Sequence, residues 1–403
     1  MTWLSSPAHH RWLEQESDRL LDFGRASAVP EGGFGWLGDD GRPVSQRGRP
    51  VWITCRMTHV FALGHLIGRP GCGALVDHGV AALRGAFHDE RNGGWYAELG
   101  ADGPTRREKT AYEHAFVVLA GASATVARRG GGRALLDDAL EVFATRFWDE
   151  EAGMVVEEWD EGFTTLDDYR GMNANMHWVE ALVAAADATG DRGYLDKALR
   201  VTERAVGSAR DNGWRLPEHH DSSWRSLPDY NREEPAHPFR PFGATIGHSF
   251  EWSRLALHVH AALGSSAPGW LLEGSAAWFD TAVKEGWAVD GRDGFVYTVD
   301  WDGAPVVRQR MHWVAAEAIG AAAALWAATG EERYADLYEQ WWDHVAWAFL
   351  DPEQGSWRHE LDPELQAASG TWAGKPDVYH ALQATLLPRL PLTPSLAVGV
   401  QRL

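Results

Sequence analysis

The sequence predicts an all-α protein, an (α/α)6 barrel of six helical hairpins closed into a ring, with short β-hairpin loops at one end. The barrel is expected to use the whole chain, residues 1–403, as one domain. Two periodicities and one alternation predict it. Six histidines, His59, His114, His177, His248, His312 and His380, stand at near-equal intervals, each opening a helix-like apolar run. A Gly/Trp turn keeps the same rhythm at Gly35, Gly94, Gly153, Gly213, Gly294 and Gly355, with spacings of 59, 59, 60, 81 and 61 residues. A fixed period marks a repeat architecture, and about 60 residues is too long for ordinary helix-pair solenoids. Six such units can close into a ring, which overrides the two or three domains that length alone suggests.

The alternation lies between the turns. Residues 116–127 (FVVLAGASATVA) and 315–329 (AAEAIGAAAALWAAT) are almost continuously apolar, and a helix apolar on all sides is a buried one. Residues 134–148 (ALLDDALEVFATRFW) and 332–349 (ERYADLYEQWWDHVAWAF) are amphipathic. Each unit thus pairs a buried inner helix carrying its histidine with a half-exposed outer one. The turns after the outer helices, such as HDERNGGWYAEL and DPEQGSWRHELD, combine Asp/Gly chemistry with short alternating runs. They read as β-hairpins walling a pocket at one end. The long interval places its excess in 217–247, rich in Pro, polar and aromatic residues. Long loops in compact proteins are commonly functional, so this one reads as a lid over a central pit.

Composition narrows the function. The net charge of −20 argues against nucleic acid or an anionic membrane as partner. It also weakly disfavours highly charged anionic substrates. Cys55 and Cys72, the two cysteines, form no CxxC pattern, hence no disulfide framework and no zinc signature. The N-terminus has no basic or apolar signal region, and no window approaches 18 unbroken apolar residues. A cytoplasmic protein is expected by default. The 22 tryptophans offer flat apolar faces and N–H edges suited to sugars, although wedging helix against helix is the commoner use.

The sharpest local pattern is His248-x-x-Glu251. On a helix these share a face, and a carboxylate beside an imidazole raises its pKa and fixes its tautomer. That is a general acid/base held ready near neutral pH. His177 and Glu180 repeat the spacing, and His380 in DVYH is the second member expected across the pit. His59, His114 and His312 read as satisfied core residues. Arg56, Arg240, Asn173 and Asn175 would supply hydrogen bonds to hydroxyls, and an Arg on an inner helix is expensive to bury without a partner. Tyr112 and Trp313 stand at matching depths beside ring histidines. No metal is expected, since the only HxH, His258 and His260, lies on the wrong period. No Walker, GxGxxG or GxSxG motif occurs, and no cofactor is expected.

The segments WITCRMTHV, YRGMNANMHWVEA, LPDYN, PAHPFRPFG, GHSFEW and DVYHAL together resemble the N-acylglucosamine 2-epimerase superfamily. The nearest branch is the aldose–ketose isomerases of mannose-type and sulfoquinovose-type sugars. The similarity runs from HHRWLEQESDRLLDFG to LLPRLPL. It implies an (α/α)6 barrel, no metal, and two histidines working through a cis-enediol. Position by position, His248 and His380 match the catalytic pair. Trp52, Arg56, Tyr112, Asn173, His177, Glu251 and Trp313 match the sugar-contacting set. Sulfonate-handling relatives carry polar residues where this chain has Pro238 and Pro376, and proline offers no side-chain donor to an anion.

The expectation is D-mannose–D-fructose isomerisation, extending to D-lyxose–D-xylulose. His380 would act at carbon, and His248, tuned by Glu251, at the ring oxygen. The partner is a monosaccharide, and the protein a monomer or homodimer. The alternatives are 2-epimerisation, a sulfoquinovose isomerase, an inverting glycoside hydrolase using Asp229 and Glu251, and a non-catalytic sugar-binding scaffold.

Overall fold

A computed structural model describes residues 2–403. Helices alternate between two environments along the chain. They are α1 (Pro7–Gly24), α2 (Val51–Leu66), α3 (Cys72–Arg84), α4 (Ala111–Val126), α5 (Gly132–Val142), α6 (Met172–Thr189) and α7 (Gly193–Asp211). There follow α8 (Ile246–Leu263), α9 (Trp270–Gly286), α10 (His312–Thr329), α11 (Glu332–Ala348), α12 (Tyr379–Leu386) and a short α13 (Leu396–Gly399). The even-numbered helices from α2 to α12 are buried almost throughout, and each packs on the next around a ring that closes from α12 back to α2. The odd-numbered helices up to α11 form the outer layer, each with one buried stripe.

The (α/α)6 barrel is thus as expected, with two local differences. Five hairpins are consecutive in sequence, but the sixth is split: α12 packs on α1 from the opposite end of the chain. Ser17 Oγ and Thr385 Oγ1 hydrogen-bond at 2.7 Å across that seam, and Trp357 Nε1 donates to Glu16 at 3.1 Å. The outer helix expected over 134–148 stops at Val142. A π-helical turn, Phe143–Phe147, replaces its last turn and buries both phenylalanines.

Three of the six Gly/Trp turns, those at Gly94, Gly153 and Gly355, are hairpins of one design. Gly93, Gly153 and Gly355 donate their N–H to the carbonyls of Asp89, Asp149 and Asp351 at 2.8–3.0 Å. Each Asp side chain accepts two further backbone N–H groups inside its turn. Gly94 lies at φ 71°, and a Cβ there would stand 2.8 Å from His114 Nε2, so backbone and packing both require glycine.

The two residues at the start of an inner helix pair with a strand of the following hairpin. Arg49–Pro50 pairs with Glu98–Gly100, Lys109–Thr110 with Glu158–Trp159, Arg170–Gly171 with His219–His220, Ala244–Thr245 with Thr298–Val299, and Arg310–Met311 with Glu360–Leu361. The sixth link closes on the N-terminal region, where Lys375 N donates to Leu37 O at 2.9 Å. All inner-helix N-termini and all hairpins therefore share one end of the barrel, which gives the pit its polar rim.

Three of these links carry a buried cation tied to the preceding hairpin: Lys109 to Asp89 (3.1 Å), Arg310 to Asp290 (2.6 Å) and Lys375 to Asp351 (2.7 Å). Residues 217–247 are ordered rather than loose. Trp301 Nε1 donates to Pro228 O, Asn231 Nδ2 to Arg240 O and Tyr297 OH to Pro238 O. Trp178, Trp252, Trp341 and Trp342 are fully buried on their helices, whereas Trp347 is 70% exposed on α11. No helix among the described residues is long and apolar enough to cross a membrane.

Lys109→Ala leaves Asp89 under the hairpin without its counter-ion. Urea unfolding should show a loss of about 3 kcal/mol, the low end for a broken buried pair because this one lies close beneath the barrel's end. An unchanged midpoint would refute the tethering role.

Candidate active site

The inner-helix N-termini open into a pit of about 560 Å3 on the barrel axis. Trp52, Arg56, Tyr112, Asn173, His177, His248, Glu251, Trp313 and His380 all line it. The repeated histidine does not keep one depth. His59 sits more than two turns into α2, where Nδ1 bonds Ser123 Oγ at 2.7 Å. His114 Nδ1 donates to Thr110 O and Nε2 accepts from Trp95 N. His114 is a satisfied core residue, as expected, whereas His59 is a core residue whose Nε2 has no protein partner. His312, expected to be a third, is the first residue of α10 and lines the pit.

His248 and His380 flank one indole. Their ring centroids lie 5.3 and 5.8 Å from that of Trp313, which belongs to the intervening unit. Each imidazole is pinned at Nδ1 by a buried carboxylate. His248 Nδ1 bonds Glu218 Oε2 at 2.7 Å, and His380 Nδ1 bonds Glu317 Oε1 at 2.8 Å. A carboxylate only accepts, so both Nδ1 atoms carry hydrogen and both Nε2 atoms are left for the pit.

The expected His248–Glu251 pair is therefore corrected. Sharing a helix face brings side chains near one another but does not place a carboxylate in the imidazole plane; Glu218, from the chain before Ala244–Thr245, does so. Glu251 turns toward His177 Nδ1 (3.7 Å) and Arg254 (3.6 Å) instead. Glu180 likewise serves Tyr379 OH and Gln383 rather than His177.

Sequence reasoning missed Glu218 and Glu317, the two anchors. Glu317 had a signal, as a lone carboxylate within the apolar run 315–329. Glu218 had none beyond its place at the start of the long loop. Also missed were His359, Trp372 and Asp377 in the pit wall.

Arg56 fits its reading in part. It pairs with Asp377 Oδ2 at 3.3 Å and donates to Tyr112 OH at 2.9 Å. Its Nε is buried without a protein partner. Asn173 Nδ2 donates to Phe239 O at 3.3 Å, leaving Oδ1 unpartnered. Asn175 is structural, holding the backbone of Val155 and Gly171.

Arg240 does not reach the pit. It stacks on Tyr169 and faces Glu157 and Glu158 in an adjoining cavity of about 1220 Å3. Phe239, its neighbour, stands between the two spaces and packs edge-on against Tyr112 and Trp372. Pro238 and Pro376 both line the pit. Asp229 is exposed and paired with Arg232 on the loop, so the carboxylate pair required of an inverting hydrolase is not assembled.

Electrostatics follow from burial. Desolvation pulls His380 below its usual 6.5, against the opposing hydrogen bond from Glu317. Desolvation, then Arg56, hold His177 well below it. Burial raises Glu251 well above the carboxylate range, and the charge of Glu317 adds to the rise. Burial opposes ionisation of Glu317 and Glu218, but Arg254 holds the first down and His248 the second. His177, Glu180 and Glu251, and likewise Glu251, Glu317 and His380, bring donor atoms within 4.8 Å of one another. Arg254, bonded to Glu317 at 2.8 Å, already supplies there the positive charge that an ion would bring.

Residues 32–384 match the family described as N-acylglucosamine 2-epimerase (GlcNAc 2-epimerase). A D-mannose isomerase of Thermobifida fusca is 54% identical over 400 residues, covering 98% of each chain. A D-mannose isomerase of Pseudomonas cannabina pv. alisalensis is 50% identical over 401 residues, 98% of this chain and 96% of that one. The crystal structure of a D-mannose isomerase superposes with a TM-score of 0.88 at 28% identity, covering 95% of this chain and 99% of its own.

The anchoring of His380 is directly measurable. In a proton–nitrogen NMR titration its pKa should lie below 6.5 and fall further in Glu317→Gln, because the carboxylate is what favours the imidazolium. A value unmoved or raised by the substitution would remove Glu317 as its partner.

Proposed function

The chain belongs to the N-acylglucosamine 2-epimerase family, and from that premise we propose that it interconverts D-mannose and D-fructose through a cis-enediol. The observation that carries this is the pair His248 and His380, each fixed at Nδ1 by a buried carboxylate and flanking Trp313 with Nε2 toward the pit. Aldose–ketose isomerisation through an enediol can be run by that arrangement. One group must help open the pyranose ring, and another must carry a proton between adjacent carbons.

His380 is assigned the carbon step. Uncharged at neutral pH, its Nε2 takes the C2 proton of the open aldose while O1 gains a proton from Glu251, giving the enediol. His380 returns its proton to C1 as O2 gives its own back to Glu251, which leaves the ketose and both groups as they began. Glu317 stabilises the imidazolium that exists between these steps. His248 is assigned the proton transfer at the ring oxygen. The assignment of Glu251 as its tuner gives way to Glu218. Glu251, holding its proton beside His177, and the unpartnered Nε of Arg56 face the pit as donors for O1 and O2. Preorganised donors at developing charge are a large share of such catalysis.

Two further features support a neutral monosaccharide. Pro238 and Pro376 bring no cation to the pit wall, and Asn173 Oδ1 offers an acceptor that suits a hydroxyl and not a sulfonate. The 50–54% identity to two D-mannose isomerases over nearly the full length favours isomerisation over 2-epimerisation.

Proton NMR of the EDTA-treated protein with D-mannose in D2O should show fructose, with deuterium at C1 or C2. Glucose as main product would make it an epimerase, and no change would refute a neutral monosaccharide substrate. His380→Ala should cut C2–H exchange by about 10^2–10^4-fold; retained exchange would move the base elsewhere. Because the folded pKa of His380 lies under 6.5, the rate it limits should hold as pH falls to that point and drop only below it. Loss already at higher pH would contradict a neutral His380.

A further inference from the structure

We propose that His312 selects the substrate, its Nε2 accepting a hydrogen bond from one sugar hydroxyl. The inference rests on the isomerase reading and adds a recognition residue to it. The sequence pattern placed this histidine in the core, and the homology-matched contact set does not include it.

The ring of His312 lies in the pit wall at the start of α10. Its Nδ1 faces the carbonyl of His359 at 3.3 Å, and its own backbone N–H donates to the same oxygen at 3.1 Å. A carbonyl can only accept, so Nδ1 carries the hydrogen. The ring of His359 stacks on that of His312, with centroids 3.7 Å apart and planes 22° from parallel, and locks its orientation. Burial keeps both rings uncharged, His312 being held down to about 3 and His359 well below its usual value. Nε2 is then a bare lone pair. It is fully buried and has no partner in the protein.

An unpaired buried acceptor is unfavourable. Other histidines, His59 and His258 among them, also keep an unpartnered Nε2, but of all these only His312 belongs to the pit wall, where a bound ligand can satisfy it. Only a donor fits. A sugar hydroxyl donates, whereas a sulfonate or phosphate oxygen would set lone pair against lone pair. Position narrows the choice further. The ring stands edge-on to His380 at a centroid distance of 6.4 Å, so the hydroxyl belongs to a carbon near the reacting end and not to a distant substituent. His312 thus reads presence of a hydroxyl, and the stacked His359 is the positioning residue behind it.

The test compares wild type, His312→Phe and His312→Gln on D-mannose and its 3-, 4- and 6-deoxy derivatives. The Phe variant keeps a ring to stack on His359 but has no acceptor. Its kcat/KM on mannose should fall about 10–100-fold, the range expected for an unpaired buried hydrogen-bonding group, mainly through KM. The deficit should persist with two of the deoxy sugars and shrink to within about twofold on the one that lacks the contacted hydroxyl. Gln, with an amide oxygen, should recover part of the loss, and the acid limb of the rate profile should not move.

An equal deficit on all three deoxy sugars, or none on mannose, would overturn the proposal. Nitrogen NMR of the wild type needs no variant: His312 Nε2 should be unprotonated and should shift on adding D-mannose, and a protonated Nε2 would overturn it equally. If the wild type forms no fructose from mannose, the isomerase reading fails. Fructose formation with a uniform deficit refutes the His312 assignment alone.

Discussion

One carboxylate carries the site. Glu317 accepts from His380 Nδ1 and from Arg254 Nε, each at 2.8 Å, and so ties α8, α10 and α12 together beneath the pit. Ionised groups this deeply buried are tolerable only when paired and hydrogen-bonded. Arg254 keeps Glu317 charged. Burial keeps the proton on Glu251, with the charge of Glu317 adding to the effect, and Glu317 favours the protonated form of His380. Two titratable groups of the pit wall thus feel one residue of an otherwise apolar helix.

That dependence explains what could and could not be read along the chain. The period in Gly and His, together with all-apolar segments alternating with amphipathic ones, encodes the ring, because burial on all sides and burial on one side leave different marks in sequence. Splitting of the sixth hairpin between α1 and α12 leaves no such mark, since it concerns only which ends meet. The histidine repeat misleads in a subtler way. Residues equivalent along the chain start from different helix offsets, so His59 falls far below the pit and His312 falls in its wall.

The anchoring carboxylates were the harder part. A spacing of i,i+3 on one helix says that two side chains are neighbours, and Glu251 is indeed a neighbour of the pit. It cannot say which oxygen lies in the plane of an imidazole. That acceptor came from another element in both cases, Glu218 from the beginning of the α7–α8 connection and Glu317 from α10. Residues matched by resemblance, such as Arg56 and Asn173, line the pit. Arg240, read from chemistry alone, faces the neighbouring cavity instead.

The pit's polarity follows from the same economy of charge. Arg56 in its wall and Arg254 beneath it are each matched by buried carboxylates, so little net charge is left to attract an anion. What remains unmatched in the wall are single hydrogen-bonding atoms, among them Arg56 Nε and Trp372 Nε1 as donors, and Asn173 Oδ1 and His312 Nε2 as acceptors. A ligand that satisfies both kinds at once must carry several groups able to donate and accept in turn. Hydroxyls do this and charged esters do not. The neutrality of the preferred sugar is then a consequence of how the buried charges beneath it are paired, rather than of any single contact with it.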